Sequence, residues 1–96
     1  MNKAEHLLTC LIEECAEVQK AATKALRFGL TDGSPNRTTT NAKDIAQELL
    51  EVVAITELLE ENGIIERPKA ISAIEQKKAK IHTYMDYAAH TGTLTD

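Results

Sequence analysis

Two pairs of glutamates stand at positions where a helix would normally place core residues. Glu14 and Glu17 share one helical face with aliphatic side chains, and Glu48 and Glu51 repeat this E-x-x-E arrangement further along the chain. If the two faces meet, four carboxylates converge. Carboxylates held close together repel one another and lose hydration, so bound protons, lysines or a divalent cation must offset their charge. Oxygen donors of this kind suit Mg²⁺ or Mn²⁺ better than zinc.

The glutamates lie within two apolar stripes, because positions three, four and seven residues apart share one side of a helix. The first stripe consists of Leu7, Cys10, Leu11, Val18, Ala21, Ala25 and Phe28, and the second of Asn41, Asp44, Ile45, Val52, Ile55 and Leu59. The first helix also carries an adjacent apolar row of Leu8, Ile12, Cys15, Ala22 and Leu26. It is therefore apolar over more than half of its circumference, which is typical of a helix packed on two sides.

Glycines and a proline divide the chain into three predicted helices. The helices cover about residues 3–28, 41–62 and 68–90, within one domain spanning 1–96. Asn41 is a good N-cap for the second helix, and Pro68 suits the first position of the third. No strand pattern competes, so the predicted fold class is all-α.

Composition excludes several classes of protein. The formal charge of −4 argues against binding to a nucleic-acid polymer, which would require a basic surface. No apolar run is long enough for a membrane span, and no signal peptide opens the chain. The two cysteines are expected to be reduced thiols, as in a cytoplasmic protein. A chain of 96 residues buries a modest share of its surface, so association with further copies would help to stabilise it.

Two segments carry a resemblance to a known family. "EECAEVQKAATKALRFG" followed by "NAKDIAQELLEVVAITELLEENG" resembles the MazG-like all-α NTP pyrophosphatase superfamily, most strongly its small single-domain members common in bacteriophage genomes. The C-terminal "AIEQKKAKIHTYMDYAAHTGTL" is similar to the tails of those proteins, so the resemblance covers nearly the whole chain.

The resemblance implies a fold, an assembly and an activity. Helices from neighbouring subunits of a homodimer or homotetramer would complete four-helix bundles. The activity would be Mg²⁺-dependent hydrolysis of a (deoxy)nucleoside triphosphate to the monophosphate and pyrophosphate, in the cytoplasm of a bacterial or phage-infected cell. Glu14, Glu17 and Glu48 match the family's catalytic metal ligands, and Glu51 stands where the family has Asp. That departure leaves open an altered metal preference, low activity or binding without turnover.

Three further residues are candidates for substrate contact. Lys24, beyond Glu17 on the first helix, could meet a phosphate, and Phe28 could stack on a base; the alternatives are a solvated lysine and a core aromatic. Lys78 on the third helix matches the region where the family often has a phosphate-binding lysine, although a surface charge cluster is an equal alternative.

Other polar residues have weaker support. Asp44 could help to hold a metal or could compensate the positive end of the second helix. Asn36 and Arg37, in the long first loop, could close over a substrate.

The leading hypothesis is therefore a metal-dependent nucleoside triphosphate pyrophosphohydrolase. One alternative is a protein of the same fold that binds nucleotides without hydrolysing them. The other is a structural helical bundle or adaptor in which the glutamates only form ion pairs with Lys24 or Lys78.

Overall fold

The structure is a computed structural model that describes residues 1–33, 38–69 and 71–96. Its helices are α1 (Lys3–Phe28), α2 (Asn41–Glu61) and α3 (Ile71–Thr91), and the described ranges contain no strand. The predicted all-α class with three main helices is confirmed. None of the helices in these ranges combines the length and apolar character needed to cross a membrane.

The third helix begins later than predicted. Pro68 and Lys69 lie outside it, because the fixed φ of proline suits extended chain as well as the first turn of a helix. The chain divides into two compact units, 1–66 and 67–96, and each is described separately. The expectation of one domain over the whole chain stays a prediction.

The start of α1 is fixed by a reciprocal pair of hydrogen bonds. The backbone N–H of Glu5 donates to the side chain of Asn2 at 2.8 Å, and the N–H of Asn2 donates to the carboxylate of Glu5 at 3.3 Å. This capping box satisfies two backbone donors that the first turn leaves without partners. At the other end, Gly29 follows the helix with φ 99°, a conformation that glycine adopts without a steric penalty.

In the 1–66 unit, α1 packs against α2 along the two predicted stripes. The buried apolar side chains are Ala21, Ala25 and Leu59. The small alanines leave room for the second helix to approach, and most of the remaining stripe residues are half-buried. The contact therefore holds the two acidic segments against each other with little apolar burial of its own.

Asn41 does not cap α2 as predicted. Thr40 is the N-cap, and its hydroxyl accepts from the backbone N–H of Lys43 at 3.3 Å. Asn41 is the first helical residue and is 1% exposed. Its side-chain amide donates to the Gly29 carbonyl at 2.9 Å, so it joins the start of α2 to the end of α1.

Two backbone hydrogen bonds reinforce this junction. The N–H of Asn41 donates to the carbonyl of Asp32, and the N–H of Ala42 donates to the carbonyl of Leu30, both at 2.9 Å. They join the described residues that precede the first loop to those that follow it. We refer to these bonds, with the Asn41–Gly29 bond, as the hairpin junction.

The 67–96 unit consists of α3 and its flanking segments. No side chain on the described part of α3 is buried. After Gly92, the N–H groups of Thr93 and Leu94 both donate to the Ala88 carbonyl at 3.0 Å, which ends the helix. Leu94 is half-buried.

Candidate functional site

Three of the four predicted glutamates meet between α1 and α2. Glu14 from α1 and Glu48 and Glu51 from α2 each place one carboxylate oxygen within 4.8 Å of the others. Glu48 and Glu51 are three residues apart, so consecutive turns of one helix present them on the same side. We call these three residues the carboxylate cluster.

Two oxygens of the cluster have no hydrogen-bond partner among the described residues. They are the buried atoms Glu14 Oε2 and Glu48 Oε2. A buried acceptor without a partner is costly and is rare in folded proteins. A cation bound between these two oxygens would offset the negative charge of both carboxylates. Their hard-oxygen chemistry matches Mg²⁺ or Mn²⁺.

The cluster favours bound protons when no cation offsets its charge. Burial is the largest cause that raises the pKa of Glu14, followed by the charge of Glu51 and a hydrogen bond with it. For Glu48, a hydrogen bond with Glu51 raises the pKa most, followed by burial and the neighbouring negative charges. Glu51 is thus a cause of the raised pKa of both Glu14 and Glu48.

Glu17 lies beside the cluster but outside the group of three oxygens. Its negative charge raises the pKa of both Glu14 and Glu48. It also lines a cavity of about 220 Å³ between α1 and α2, whose walls are formed by Glu17, Lys20, Ala21, Lys24, Asp44 and Glu48. The lining thus combines three carboxylates with two lysines of α1.

The two lysines of this cavity form no ion pair with the residues that the structure describes. Among the described residues, neither Lys20 nor Lys24 has a carboxylate within salt-bridge distance. Sequence analysis identified Lys24 as a candidate and did not name Lys20. The missing signal was spacing, because Lys20 follows Glu17 by three residues and precedes Lys24 by four.

Phe28 lies one turn beyond Lys24 and is 56% exposed. Phe28 is therefore not part of the core of the single chain. The guanidinium of Arg27 lies 4.7 Å from the centre of the Phe28 ring, a cation–π arrangement at the C-terminal end of α1. One face of an aromatic ring with this companion is a suitable platform for a planar ligand.

The other candidates have different surroundings. Lys78 belongs to the 67–96 unit, where its ammonium lies 3.4 Å from the carboxylate of Glu75 and both side chains are exposed. Its predicted phosphate contact stays a prediction. Asp44 lines the 220 Å³ cavity, and Asn36 and Arg37 lie outside the described residues.

The candidate site therefore consists of the carboxylate cluster and the lysine-lined cavity, and the Phe28 ring lies one turn beyond Lys24 on α1. Comparison of the chain with protein-family models, with curated proteins and with solved structures finds no match.

Proposed function

We propose that this protein is a metal-dependent pyrophosphohydrolase of the MazG-like superfamily, which converts a (deoxy)nucleoside triphosphate and water to the monophosphate and pyrophosphate. The observation that carries the proposal is the carboxylate cluster, in which two buried oxygens, of Glu14 and Glu48, have no hydrogen-bond partner in the part of the chain that the structure describes. The resemblance of the two acidic segments to that superfamily supplies the reaction.

Glu14, Glu48 and Glu51 would hold the cation, with Glu17 as a further ligand or as the residue that orients water. Bound Mg²⁺ or Mn²⁺ would neutralise phosphate charge and make the phosphorus more electrophilic. Glu51 replaces the family's Asp, and its longer side chain still reaches Glu14 and Glu48. The departure is therefore compatible with a complete ligand set.

In the proposed reaction, the chain's own residues hold the water and the phosphates. Glu17 lies at the edge of the cavity, where its carboxylate would accept a proton from the attacking water. The water oxygen bonds to the α-phosphorus, the bond from that phosphorus to the bridging oxygen breaks, and pyrophosphate leaves. Lys20 and Lys24 would bind the phosphates by charge-assisted hydrogen bonds.

The order of side chains along α1 gives the substrate a direction. A helix rises about 1.5 Å per residue, so Lys24 lies about 10 Å beyond Glu17 along the axis and Phe28 about 6 Å further. Carboxylate, lysine and aromatic ring would then meet metal, phosphates and base in that order. A cavity of about 220 Å³ is below the usual range for a whole drug-sized ligand. It suits the polyphosphate, with the nucleoside lying toward Phe28.

The adaptor alternative has less support. It requires the glutamates to be neutralised by Lys24 or Lys78, but in the described residues Lys24 pairs with no carboxylate and Lys78 pairs with Glu75. Binding without turnover is the second candidate, and the departure from Asp at Glu51 favours it.

The test is a product assay with purified protein, a panel of NTPs and dNTPs, and Mg²⁺, Mn²⁺ or EDTA. We expect monophosphate and pyrophosphate only with metal. Diphosphate and phosphate would contradict the family assignment. Metal-dependent nucleotide binding without any product would identify the binding protein, and Glu51→Asp would then be the variant that tests whether turnover can be restored.

The lysines provide a matched pair of variants for the same assay. Loss of a hydrogen bond to a charged group costs about 1.5–3 kcal/mol, so Lys20→Ala and Lys24→Ala should each raise KM by about tenfold or more. Lys43→Ala is the control, because Lys43 is exposed on α2 and does not line the cavity. An equal effect of all three substitutions would show only a general influence of surface charge.

A further inference from the structure

Three hydrogen bonds of the hairpin junction hold the start of α2 against the end of α1, and the proposed hydrolase activity assigns them no role. Asn41 and Ala42 supply all three donors, and the acceptors are the carbonyls of Gly29, Leu30 and Asp32, at 2.9 Å each. The first N–H groups of a helix have no acceptor within the helix. Here the chain that follows α1 accepts two of them, and the buried amide of Asn41 adds the third bond.

We propose that Asn41 is a positioning residue, which holds the first two turns of α2 against α1 and thereby fixes the width of the lysine-lined cavity. Asp44 and Glu48 follow Asn41 by three and seven residues, so the three side chains share one side of α2. Asp44 and Glu48 form the α2 wall of the cavity, and Lys20 and Lys24 belong to its α1 wall. The inference rests on the proposed function, because that function makes this cavity the phosphate site.

Apolar packing leaves the start of α2 weakly held. Among the described residues, Leu59 is the only buried apolar side chain on α2, and it lies fifteen residues beyond Asp44. Ala21 and Ala25, the buried apolar residues of α1, end at Cβ and cannot interlock deeply with a second helix. The negative charges around Glu48 also oppose a close approach of the two helices. The hydrogen bonds of the junction therefore set the position of this end of α2.

A small tilt of α2 is enough to disturb the cavity. A helix rises about 1.5 Å per residue, so Asp44 lies about 22 Å from Leu59 along the axis and Glu51 about 12 Å. A tilt of about 3° with Leu59 as its pivot would move Asp44 by about 1 Å and Glu51 by about half as much. A displacement of about 1 Å in a site can reduce a reaction rate about 100-fold. Loss of the Asn41 amide should therefore affect phosphate binding more than the Glu51 end of the carboxylate cluster.

Steady-state kinetics of the full-length chain test this role. We expect Asn41→Ala to raise KM for the nucleotide by about tenfold or more, with a change of less than about threefold in the Mg²⁺ concentration that gives half-maximal activity. Leu59→Val is the matched control, because it removes buried apolar volume at the other end of α2 and leaves the junction intact. It should leave KM unchanged at a temperature at which both variants are folded. An equal rise in KM from both variants would attribute the effect to lost stability and overturn the proposal.

Hydrogen exchange of the backbone amides of α2 supplies a measurement that does not require turnover. A local opening at the junction exposes nearby amides, whereas global unfolding exposes them all. We expect Asn41→Ala to accelerate exchange at residues 44–48 at least about tenfold more than at residues 55–59. Equal acceleration of the two segments would overturn the proposal. If the graded exchange is observed in a chain that gives no product with any nucleotide, the proposed function fails and the positioning role stands.

A second variant disturbs the start of α2 without changing Asn41. A Cβ added at Gly33 would collide with the carbonyl oxygen of Thr39, two residues before Asn41. We therefore expect Gly33→Ala to displace the chain that enters α2 and to reproduce both the rise in KM and the graded exchange. Gly63→Ala is its control, since it strains the backbone beyond the far end of α2, where Gly63 has φ 68°, and it should change neither quantity. A Gly33→Ala chain with unaltered KM and exchange would contradict the proposal.

Discussion

Glu51 links the carboxylate cluster, since it is the main cause after burial that raises the pKa of Glu14 and the largest cause that raises the pKa of Glu48. Each of these two glutamates also has one buried oxygen without a hydrogen-bond partner among the described residues. The cluster therefore destabilises the protein when all its carboxylates are ionised and no cation is present. Binding of a cation to the cluster would remove this destabilisation. We therefore expect substitutions in the cluster to affect stability without metal and activity with metal in different directions.

We expect Glu48→Gln to separate the two states. The amide removes a negative charge and can donate to Glu51, so the thermal midpoint in EDTA should rise. Activity with Mg²⁺ should fall by more than the roughly 10- to 100-fold that loss of an outer-shell partner costs at a metal site. Thermal unfolding and the product assay measure the two effects.

Glu57→Gln is the matched control, because Glu57 lies on the same helix and is exposed. It should change neither quantity. If Glu48→Gln lowered the midpoint in EDTA, the carboxylate would instead be a partner in a stabilising ion pair.

The raised pKa values of Glu14 and Glu48 predict how metal-free stability varies with pH. Both lie above the ordinary 4.5, so the folded chain binds these protons more tightly than the unfolded chain. Stability from this source is complete below pH 4.5 and is lost as the pH rises through the folded-state values. Urea midpoints in EDTA should therefore decrease as the pH is raised from 4.5.

Other carboxylates contribute to the same pH dependence of stability. The contribution of Glu14 and Glu48 is therefore obtained by comparing two chains. The chain with both Glu14→Gln and Glu48→Gln should show a flatter decrease than the unsubstituted chain. An identical pH profile for the two chains would contradict the assignment.

Among the helices, Asn41 connects α1 and α2, which together form the site. Its buried amide donates to Gly29, and its loss leaves that carbonyl without this donor. Asn41→Ala should lower the free energy of unfolding by about 1–3 kcal/mol, as measured by urea denaturation.

Asn62→Ala is the matched control, since the Asn62 amide also donates to a backbone carbonyl, that of Leu58 at 2.8 Å, but at an exposed position. Its effect should stay within about 0.5 kcal/mol. Equal losses from the two variants would mean that the hairpin junction contributes no more than an ordinary helix end.

Helical periodicity and local capping rules explain what could be predicted from the sequence. The period of the apolar residues identified α1 and α2 and predicted that their glutamates converge if the two stripes meet, because a stripe fixes which side of a helix faces the core. In the structure three of the four glutamates come together. The start of α3 was wrong because proline permits more than one backbone conformation. The role of Asn41 was missed because its partner is Gly29, twelve residues away.

Lys20 shows why part of the candidate site could not be predicted from the sequence. Its position on α1 lies at the margin between the apolar and polar sides, and periodicity alone assigns a marginal residue to either side. The cavity exists only once α2 supplies Asp44 and Glu48 as its other wall. A residue whose surroundings come from another helix requires the packing of the two helices to be known.

For the molecule as a whole, exposed apolar area is the main unexplained quantity in a chain that is 43% hydrophobic. On α1 the second apolar row includes Ile12 at 69% exposed and Leu26 at 89%. Leu26 also borders an apolar groove of about 570 Å³ with Ala22, Ala25, Leu30 and Ile45. Surfaces of this kind usually mark sites of association.

We expect the chain to sediment as a dimer or tetramer, and Leu26→Glu to weaken that assembly by tenfold or more, or about 1.4 kcal/mol. Thr23→Glu is the control on an exposed turn of the same helix. A chain that sediments as a monomer at micromolar concentration, with intact helix content, would contradict this expectation.

The hairpin junction also bears on the order in which the protein folds. Its bonds connect residues close in sequence, so this end of the hairpin closes at a small cost in chain entropy and is suited to form early. Glu14 and Glu48 lie further along the helices, and their contact is suited to form after the rate-limiting step. A ligand that binds the carboxylate cluster would then prolong the lifetime of the native chain and change its rate of formation little.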